Sequence, residues 1–225
     1  KLKTKRHWWG SWLSSSGVVK QDLLEEDMER LRDFYRSQGY IDMDVLSNRV
    51  ERVGRQWIVL HIDMFEGQQY KVGTVEIEGN KLFPKTELQK RLKMGAKQTF
   101  TPDGLSKDVK AIEDFYGTRG YLDTVVSAQR KPNVGTGRMD INYAIREGEL
   151  TYVEKIQIRG NTKTKDKVIR RELAIAPGDI YDTVRVSKSV ERLKNLGFFS
   201  KVEPAPEPTS VPTHKDLVLN VEEQR

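Results

Sequence analysis

Short stretches in which apolar and polar residues alternate recur along the chain, and stretches with helical spacing lie between them. In the middle of the chain, Val75 and Ile77 alternate with polar residues, which predicts a half-buried strand. The next apolar stripe has the spacing of one helix face and consists of Leu105, Val109, Ile112 and Tyr116. A later alternating stretch consists of Met139, Ile141, Tyr143 and Ile145.

This central part contains five predicted elements. Residues 85–92 have the spacing of a short helix and lie between the first strand and the apolar stripe. Residues 122–129 form a second predicted strand, between the stripe and the last alternating stretch. The order of elements is therefore β-α-α-β-β.

The same pattern occurs three times along the chain. Phe-Tyr at residues 34–35 and Gly-Tyr at residues 39–40 recur 81 residues later. Two further motifs share this offset: the Glu-Gly pairs at 66–67 and 147–148, and the Gly-Asn strand ends at 79–80 and 160–161. Gly120 recurs as Gly197 at an offset of 77, which predicts a second helix about one turn shorter in the third copy.

The repeats predict three tandem domains, at residues 1–69, 70–150 and 151–225. Counting chain directions places strand three antiparallel to strand two and parallel to strand one. The predicted fold class is therefore α+β, with three-stranded mixed sheets of strand order 1-3-2 and both helices on one face. The first strand of the first domain would fall before residue 1, so we expect it in an upstream part of a longer protein.

Strand two lies at an edge of each predicted sheet. Its unpaired backbone N–H and C=O groups can template an incoming extended chain. The best candidate edges are residues 41–50 in the first domain and 122–129 in the second. The predicted client-binding residues on these edges are Ile41, Met43, Val45, Leu122, Thr124 and Val126.

A β-α-α-β-β unit whose first strand ends in Gly-Asn, and whose helix ends in Tyr-x-x-x-Gly-Tyr, resembles the POTRA (polypeptide-transport-associated) domain. The resemblance covers essentially the whole chain. Residues 26–35 with Gly39-Tyr40 resemble the third domain of a five-domain POTRA arm. Residues 152–173 and Gly-Phe-Phe at 197–199 resemble the fifth.

The resemblance implies a non-enzymatic arm of an outer-membrane β-barrel assembly protein, located at the outer membrane and facing the periplasm. Its implied partners are unfolded outer-membrane proteins, accessory assembly lipoproteins and the protein's own C-terminal β-barrel, which would begin after residue 225. One departure affects the third domain. There, Pro204, Pro206, Pro208 and Pro212 are expected to shorten or blunt the edge strand, which disfavours client pairing.

Other interpretations remain open at this point. A structural spacer would set only distance and angle between the membrane and upstream partners. A related secretion transporter or an organellar assembly protein would carry similar domains. Nucleic-acid binding is disfavoured, because acidic residues interleave with the basic ones and no base-stacking aromatic motif is present.

Composition narrows the chemistry. The chain has 225 residues and a net charge of +6, which permits anionic partners without requiring them. Cysteine is absent, which excludes disulfides, thiolate metal sites and a cysteine nucleophile. His7, His61 and His214 fall one per domain without ligand spacing, so we expect no metal, no cofactor and no catalytic site.

Three tryptophans form an unusual cluster near the amino terminus: Trp8, Trp9 and Trp12. They are candidates for an exposed partner surface. The favoured interpretation is structural, because burying one Trp removes on the order of 200 Å² from water.

Strand addition at the first edge makes a mutational prediction. A proline at Met43 or Val45 is expected to weaken the binding of an extended peptide, because proline removes the backbone donor that would pair with the guest. Peptide affinity, measured with the fold intact, checks this. Unchanged affinity would argue against pairing through these amides.

Overall fold

The computed structural model of the chain describes residues 21–53 and 57–224. In chain order this part contains α1 (Gln21–Ser37), β1 (Asp44–Val53), β2 (Trp57–Phe65), β3 (Lys71–Glu78), α2 (Lys85–Gln89), α3 (Pro102–Gly117), β4 (Val125–Asn133), β5 (Arg138–Arg146), β6 (Tyr152–Arg159), α4 (Asp166–Arg170), α5 (Thr183–Asn195), β7 (Phe199–Pro208) and β8 (His214–Glu223). The β-α-α-β-β order is present in the second and third repeats. Helix α3 has 16 residues and α5 has 13, in line with the shorter helix predicted for the third repeat.

The strands form three sheets, with the orders β1-β2, β3-β5-β4 and β6-β8-β7. The predicted order 1-3-2 is confirmed in both complete repeats. In the third sheet β8 pairs parallel to β6 and antiparallel to β7, as direction counting predicts. The last strand of each complete repeat is therefore central, and the second strand lies at an edge.

Contacts along the chain divide it into two compact units. Of the described residues, the first comprises 21–53, 57–76, 93–107 and 129–142, and the second comprises 77–92, 108–128 and 143–224. This division falls inside β3 and β5, and it does not coincide with the ends of the sequence repeats. The domain boundaries at residues 69 and 150 therefore stay a prediction.

The core of the third repeat is formed by apolar residues with helical spacing on α5 and by residues that alternate along β8. Val186 and Leu193 lie on one face of α5, and Leu217 and Leu219 alternate along β8. Leu193, Leu217 and Leu219 are fully buried. Burial of each such side chain stabilises the fold by roughly 1.5–3 kcal/mol.

A carboxylate on the central strand accepts a backbone N–H of the first strand in each complete repeat. Asp140 Oδ1 accepts hydrogen bonds from the backbone N–H of Thr74, at 2.7 Å, and from its hydroxyl, at 2.9 Å. These bonds lower the pKa of Asp140. In the third repeat Asp216 accepts from the backbone N–H of Lys155 at 3.1 Å, where the β6–β8 register shifts. The aspartates thus hold donors that the sheet itself leaves unpaired.

The Gly-Asn motif ends the first strand with a turn that only glycine fits. Gly160 has a φ of +95°, and a Cβ atom there would overlap the carbonyl oxygen of Val221 on β8. Gly79 lies in the same conformation against Ile145. The following Asn161 donates through Nδ2 to the Thr164 carbonyl at 2.9 Å.

Gly160→Ala is expected to destabilise the protein by about 2–4 kcal/mol, because both the backbone conformation and the overlap with Val221 oppose a side chain. Gly178→Ala is a matched control. Gly178 also has a positive φ, of +86°, but a Cβ atom there would meet nothing within 4 Å. Its cost should stay near 1 kcal/mol. Denaturant unfolding of both variants checks this, and equal losses would contradict the assigned overlap.

Candidate functional site

The outer edge of β3 is paired over its first half by a segment that lies between α2 and α3. The backbone N–H of Val72 donates to Gln98 at 2.7 Å, and the N–H of Lys97 donates back to Val72 at 2.8 Å. The N–H of Phe100 donates to Tyr70 at 2.9 Å. These bonds occupy the groups that an incoming strand would need.

The same cover is repeated on β6. Val153 exchanges two backbone hydrogen bonds with the segment before α5, donating to Asp179 at 2.9 Å and accepting from Gly178 at 2.8 Å. The N–H of Tyr181 donates to Thr151 at 2.9 Å. The beginning of the first strand in each complete repeat is therefore protected by the repeat's own chain.

The β7 edge is closed by a different device. Pro204, Pro206 and Pro208 lie within β7, opposite Leu219, Leu217 and Lys215 of β8. Proline cannot donate to a strand ladder, so these alternate positions face away from β8. Three successive outward positions consequently lack an N–H.

The expected shortening of this strand is wrong. Strand β7 extends over ten residues, Phe199–Pro208, because the prolines occupy only the positions that do not donate to β8. Pro212 lies beyond the strand, before β8. The prolines instead remove N–H donors from the outer side of β7.

Among the described strands, the edges that remain are β1, β4 and the outer side of β2, which pairs only with β1. In the described part of the chain β1 pairs with β2 and β4 pairs with β5, each on one side. The prediction that β1 and β4 lie at sheet edges is confirmed. Client binding to them is untested and stays a prediction.

The structure separates the six predicted client-binding residues into two groups. Val45 lies in β1 and Val126 in β4. The other four precede the strands: Ile41, Met43, Leu122 and Thr124. Both strands begin about three residues later than the sequence pattern predicts, because a turn follows each helix.

The turn also consumes backbone donors. The N–H of Met43 points to the Tyr40 carbonyl at 3.4 Å, and that of Thr124 to the Tyr121 carbonyl at 3.3 Å. Met43 is 2% exposed and Thr124 is 6% exposed. A proline at Met43 would therefore disturb a buried turn, and it is a poor test of strand pairing.

A groove runs beside β1. It is bordered by Glu25, Glu29 and Arg32 of α1 and by Val45 and Leu46 of β1. Leu46 lies where the β1–β2 register shifts, and its side chain is 68% exposed. An extended segment on the β1 edge would thus have both apolar and charged side chains within reach.

The helix-exit glycines have a role that sequence patterns did not identify. Gly39 has a φ of +91° and accepts the backbone N–H of Tyr70 at 2.9 Å. Gly120, with a φ of +90°, accepts the N–H of Thr151 at 2.9 Å. Each bond links one repeat to the start of the next within one compact unit. The 81-residue offset marked the glycines, but each bond joins a glycine carbonyl to a backbone N–H, and a backbone donor leaves no sequence signal.

A carboxylate directly after the last strand of the first and second repeats accepts hydrogen bonds from other elements of the same repeat. Glu147 accepts from the Tyr116 hydroxyl at 2.6 Å and from the backbone N–H groups of Lys81 and Leu82, both at 2.9 Å. Burial and this hydrogen bond raise the pKa of Tyr116. Glu66 accepts from the Tyr35 hydroxyl at 2.8 Å in the first repeat. The recurring Glu-Gly pairs were the sequence signal of this arrangement.

Glu223 makes the corresponding contacts in the third repeat. Its carboxylate accepts from the Thr162 hydroxyl at 2.7 Å, from the N–H of Thr164 at 2.7 Å and from the N–H of Lys163 at 3.0 Å. These hydrogen bonds, that of Thr162 first, lower the pKa of Glu223 to about 2. The ionised carboxylate therefore ties β8 to the loop that follows β6.

Other predicted features fall in different places. Trp8, Trp9 and Trp12 lie outside the described residues, as does His7. His61 Nε2 lies 2.9 Å from Glu51, and the His214 ring stacks on Tyr152. Within residues 21–53 and 57–224 no group of three His, Asp or Glu side chains is placed to hold a metal ion. None of the described helices has the length and apolar character needed to cross a membrane.

Comparison with protein families gives one family over nearly the whole chain. The POTRA family model, described as "Surface antigen variable number repeat", matches residues 6–65, 70–148 and 151–224. The three matches follow the three sequence repeats.

Curated relatives agree. The outer membrane protein assembly factor BamA of Neisseria meningitidis is 33% identical over 195 residues, which covers 86% of this chain and 24% of the relative. BamA of Nitratidesulfovibrio vulgaris is 29% identical over 218 residues, covering 95% of this chain and 27% of the relative. The chain thus spans about a quarter of the length of these relatives.

Solved structures show the same fold. The crystal structure of Haemophilus influenzae BamA POTRA3-5 matches with a TM-score of 0.73 and 24% identity, over 98% of this chain and 93% of that one. BamA from Haemophilus ducreyi lacking POTRA domains 1-3 matches with a TM-score of 0.58 and 28% identity, over 70% of this chain and 30% of that one.

The Glu223 contacts predict an acid-sensitive contribution to stability. The folded pKa, about 2, lies below the ordinary value of 4.5, so the contribution is present above pH 4.5 and is lost as the pH falls through about 2. Glu223→Gln should therefore lose less stability than the unmodified chain across this range. Denaturant unfolding at stepped pH measures it.

Glu222→Gln is the control, because the neighbouring carboxylate lies 4.0 Å from Lys201 and belongs to a different ion pair. Its pH curve should follow that of the unmodified chain. Parallel curves for Glu223→Gln and the unmodified chain would contradict the assignment.

Proposed function

This chain belongs to the POTRA family, and from that premise we propose that it is a non-enzymatic receptor that binds extended segments of unfolded outer-membrane proteins by strand addition. The observation that carries the proposal is the difference between the strand edges. Among the described strands β1 and β4 pair on one side only, as β2 does, whereas the beginnings of β3 and β6 are covered and β7 lacks three outward donors.

Strand addition suits a receptor for many clients. The hydrogen bonds involve only main-chain groups, so they tolerate varied guest sequences. The groove beside β1 adds side-chain contacts through Leu46 and the α1 carboxylates, which favours guests with apolar and basic residues. We therefore rank β1 as the first acceptor edge and β4 as the second.

The proposed setting follows from the family and its relatives. The arm would lie in the periplasm, next to the outer membrane, and would act with accessory lipoproteins and with the β-barrel of the same protein. The relatives carry the name outer membrane protein assembly factor, which supports this role for the present chain.

A structural spacer is the second candidate. The repeated bonds from Tyr70 to Gly39 and from Thr151 to Gly120 support it, because they give two successive repeats the same backbone link. A pure spacer would bind no client segment at any edge.

The deciding experiment is an NMR titration, in which backbone amide signals are followed residue by residue as a blocked peptide is added. The peptide alternates Thr and Val and is about nine residues long. Pairing is expected to shift signals along β1 and β4 and to leave β7 unchanged. Shifts at neither β1 nor β4 would favour the spacer.

Two sets of substitutions sharpen this test. Ala128→Pro removes an outward donor from β4, since Ala128 is two residues beyond Val126, whose N–H points away from β5. It should weaken pairing at β4 by about tenfold and leave β1 unaffected. Replacing Pro204, Pro206 and Pro208 by Thr should restore donors and create a new acceptor edge at β7. Binding that ignores both changes would contradict strand addition.

A further inference from the structure

The first outward amide of β4 is already occupied. The backbone N–H of Val126 donates to Glu113 Oε1 at 3.2 Å. Glu113 lies on α3, which is not part of the sheet, and its side chain is half-buried. An extended guest on β4 would need this amide for its own carbonyl group.

The equivalent amide in the first repeat is occupied as well. Val45 precedes Val126 by 81 residues, and its N–H donates to Asp44 Oδ1 at 2.8 Å. The same oxygen accepts from Arg32 Nε at 3.2 Å. Arg32 precedes Glu113 by the same 81 residues. In both repeats, therefore, one helix position controls the same strand amide, directly through Glu113 or through the Arg32–Asp44 pair.

The third repeat protects its edge without a carboxylate. Proline occupies three outward positions of β7, and no side chain can be released from them to expose a donor. The two kinds of protection differ in reversibility. A carboxylate can leave its amide and return to water, whereas a missing N–H cannot be restored.

We propose that Glu113, and Asp44 held by Arg32, are reversible guards of the two acceptor edges, and that an extended guest enters by displacing the carboxylate from Val126 or Val45. The inference rests on the proposed function and adds to it the residues that set the threshold for entry. The guest carbonyl takes the place of the carboxylate oxygen, so the amide remains paired throughout. In the absence of a guest, the guard limits pairing between exposed edges.

The side chains along β4 also affect which guest is preferred. Arg130 and Lys131 are exposed neighbours in the strand, and neighbouring side chains lie on opposite faces. A guest with acidic residues on either face would meet one of these cations. We therefore expect an acidic guest at β4.

The test uses the complete chain and compares Glu113→Ala with Asp114→Ala. The two substitutions remove the same charge from adjacent positions of α3. Asp114 pairs with Lys110 at 3.1 Å on the exposed side of the helix. The probe is a blocked peptide of alternating Thr and Glu, about nine residues long.

Glu113→Ala should bind this peptide at β4 about three- to tenfold more tightly than the unmodified chain, the range that the loss of one competing hydrogen bond provides. Asp114→Ala should leave the affinity within about twofold. The N–H of Val126 should exchange with solvent faster in free Glu113→Ala and become protected when the peptide binds. The peptide affinity of Glu113→Gln, which keeps the side-chain shape, should lie between that of Glu113→Ala and that of the unmodified chain.

Each outcome bears on a different claim. Peptide binding that is equal in Glu113→Ala and the unmodified chain would overturn the guard and leave strand addition standing. No binding by any variant would overturn strand addition at β4, and the guard there with it. An equal gain in Asp114→Ala would assign the effect to net charge and so overturn the guard.

The first repeat offers a parallel comparison. Asp44→Ala should tighten binding of an alternating Thr and Lys peptide at β1, and Asp33→Ala, which faces Arg36 at 3.8 Å, should not. A gain confined to β4 would overturn the guard in the first repeat.

Discussion

The backbone N–H groups along the outer strands impose the main constraint on this protein. A sheet of three strands has one interior strand and two edges, so a large part of its polar backbone faces outward. Repeats of this size cannot close a sheet on itself. Every edge donor must then be covered by the same chain, removed, or left for a partner.

The chain uses all three solutions at defined places. Backbone segments before α3 and α5 cover β3 and β6, and alternate prolines remove donors from β7. On β4 and β1, carboxylates hold single amides and leave the rest of the edge accessible. The proposed function depends on edges that are only partly covered, so the candidate site consists of backbone positions.

Carboxylates recur as acceptors for backbone donors outside the strand pairing. Asp140 and Asp216 accept backbone N–H groups of the first strands, and Glu147 and Glu223 accept those of the loops that follow. Ionised oxygen atoms accept several donors at once and remain stable beside water, so they suit small domains with little buried volume. A common chemistry thus supports both the fold and the proposed control of its edges.

Repetition and alternation in the sequence alone determined the β-α-α-β-β order, the strand order 1-3-2 and the edge position of β1 and β4, because these depend on local periodicity and chain direction. The residues that guard, cover or link were decided only in the tertiary structure. Met43 and Thr124 fit a strand pattern, yet their amides turn back to Tyr40 and Tyr121. Glu113 and Val126 resemble ordinary helix and strand residues, and their contact exists only because the helix packs beside the edge. A backbone N–H donor places no demand on residue type, so the sequence does not show which amide a carboxylate such as Glu113 contacts.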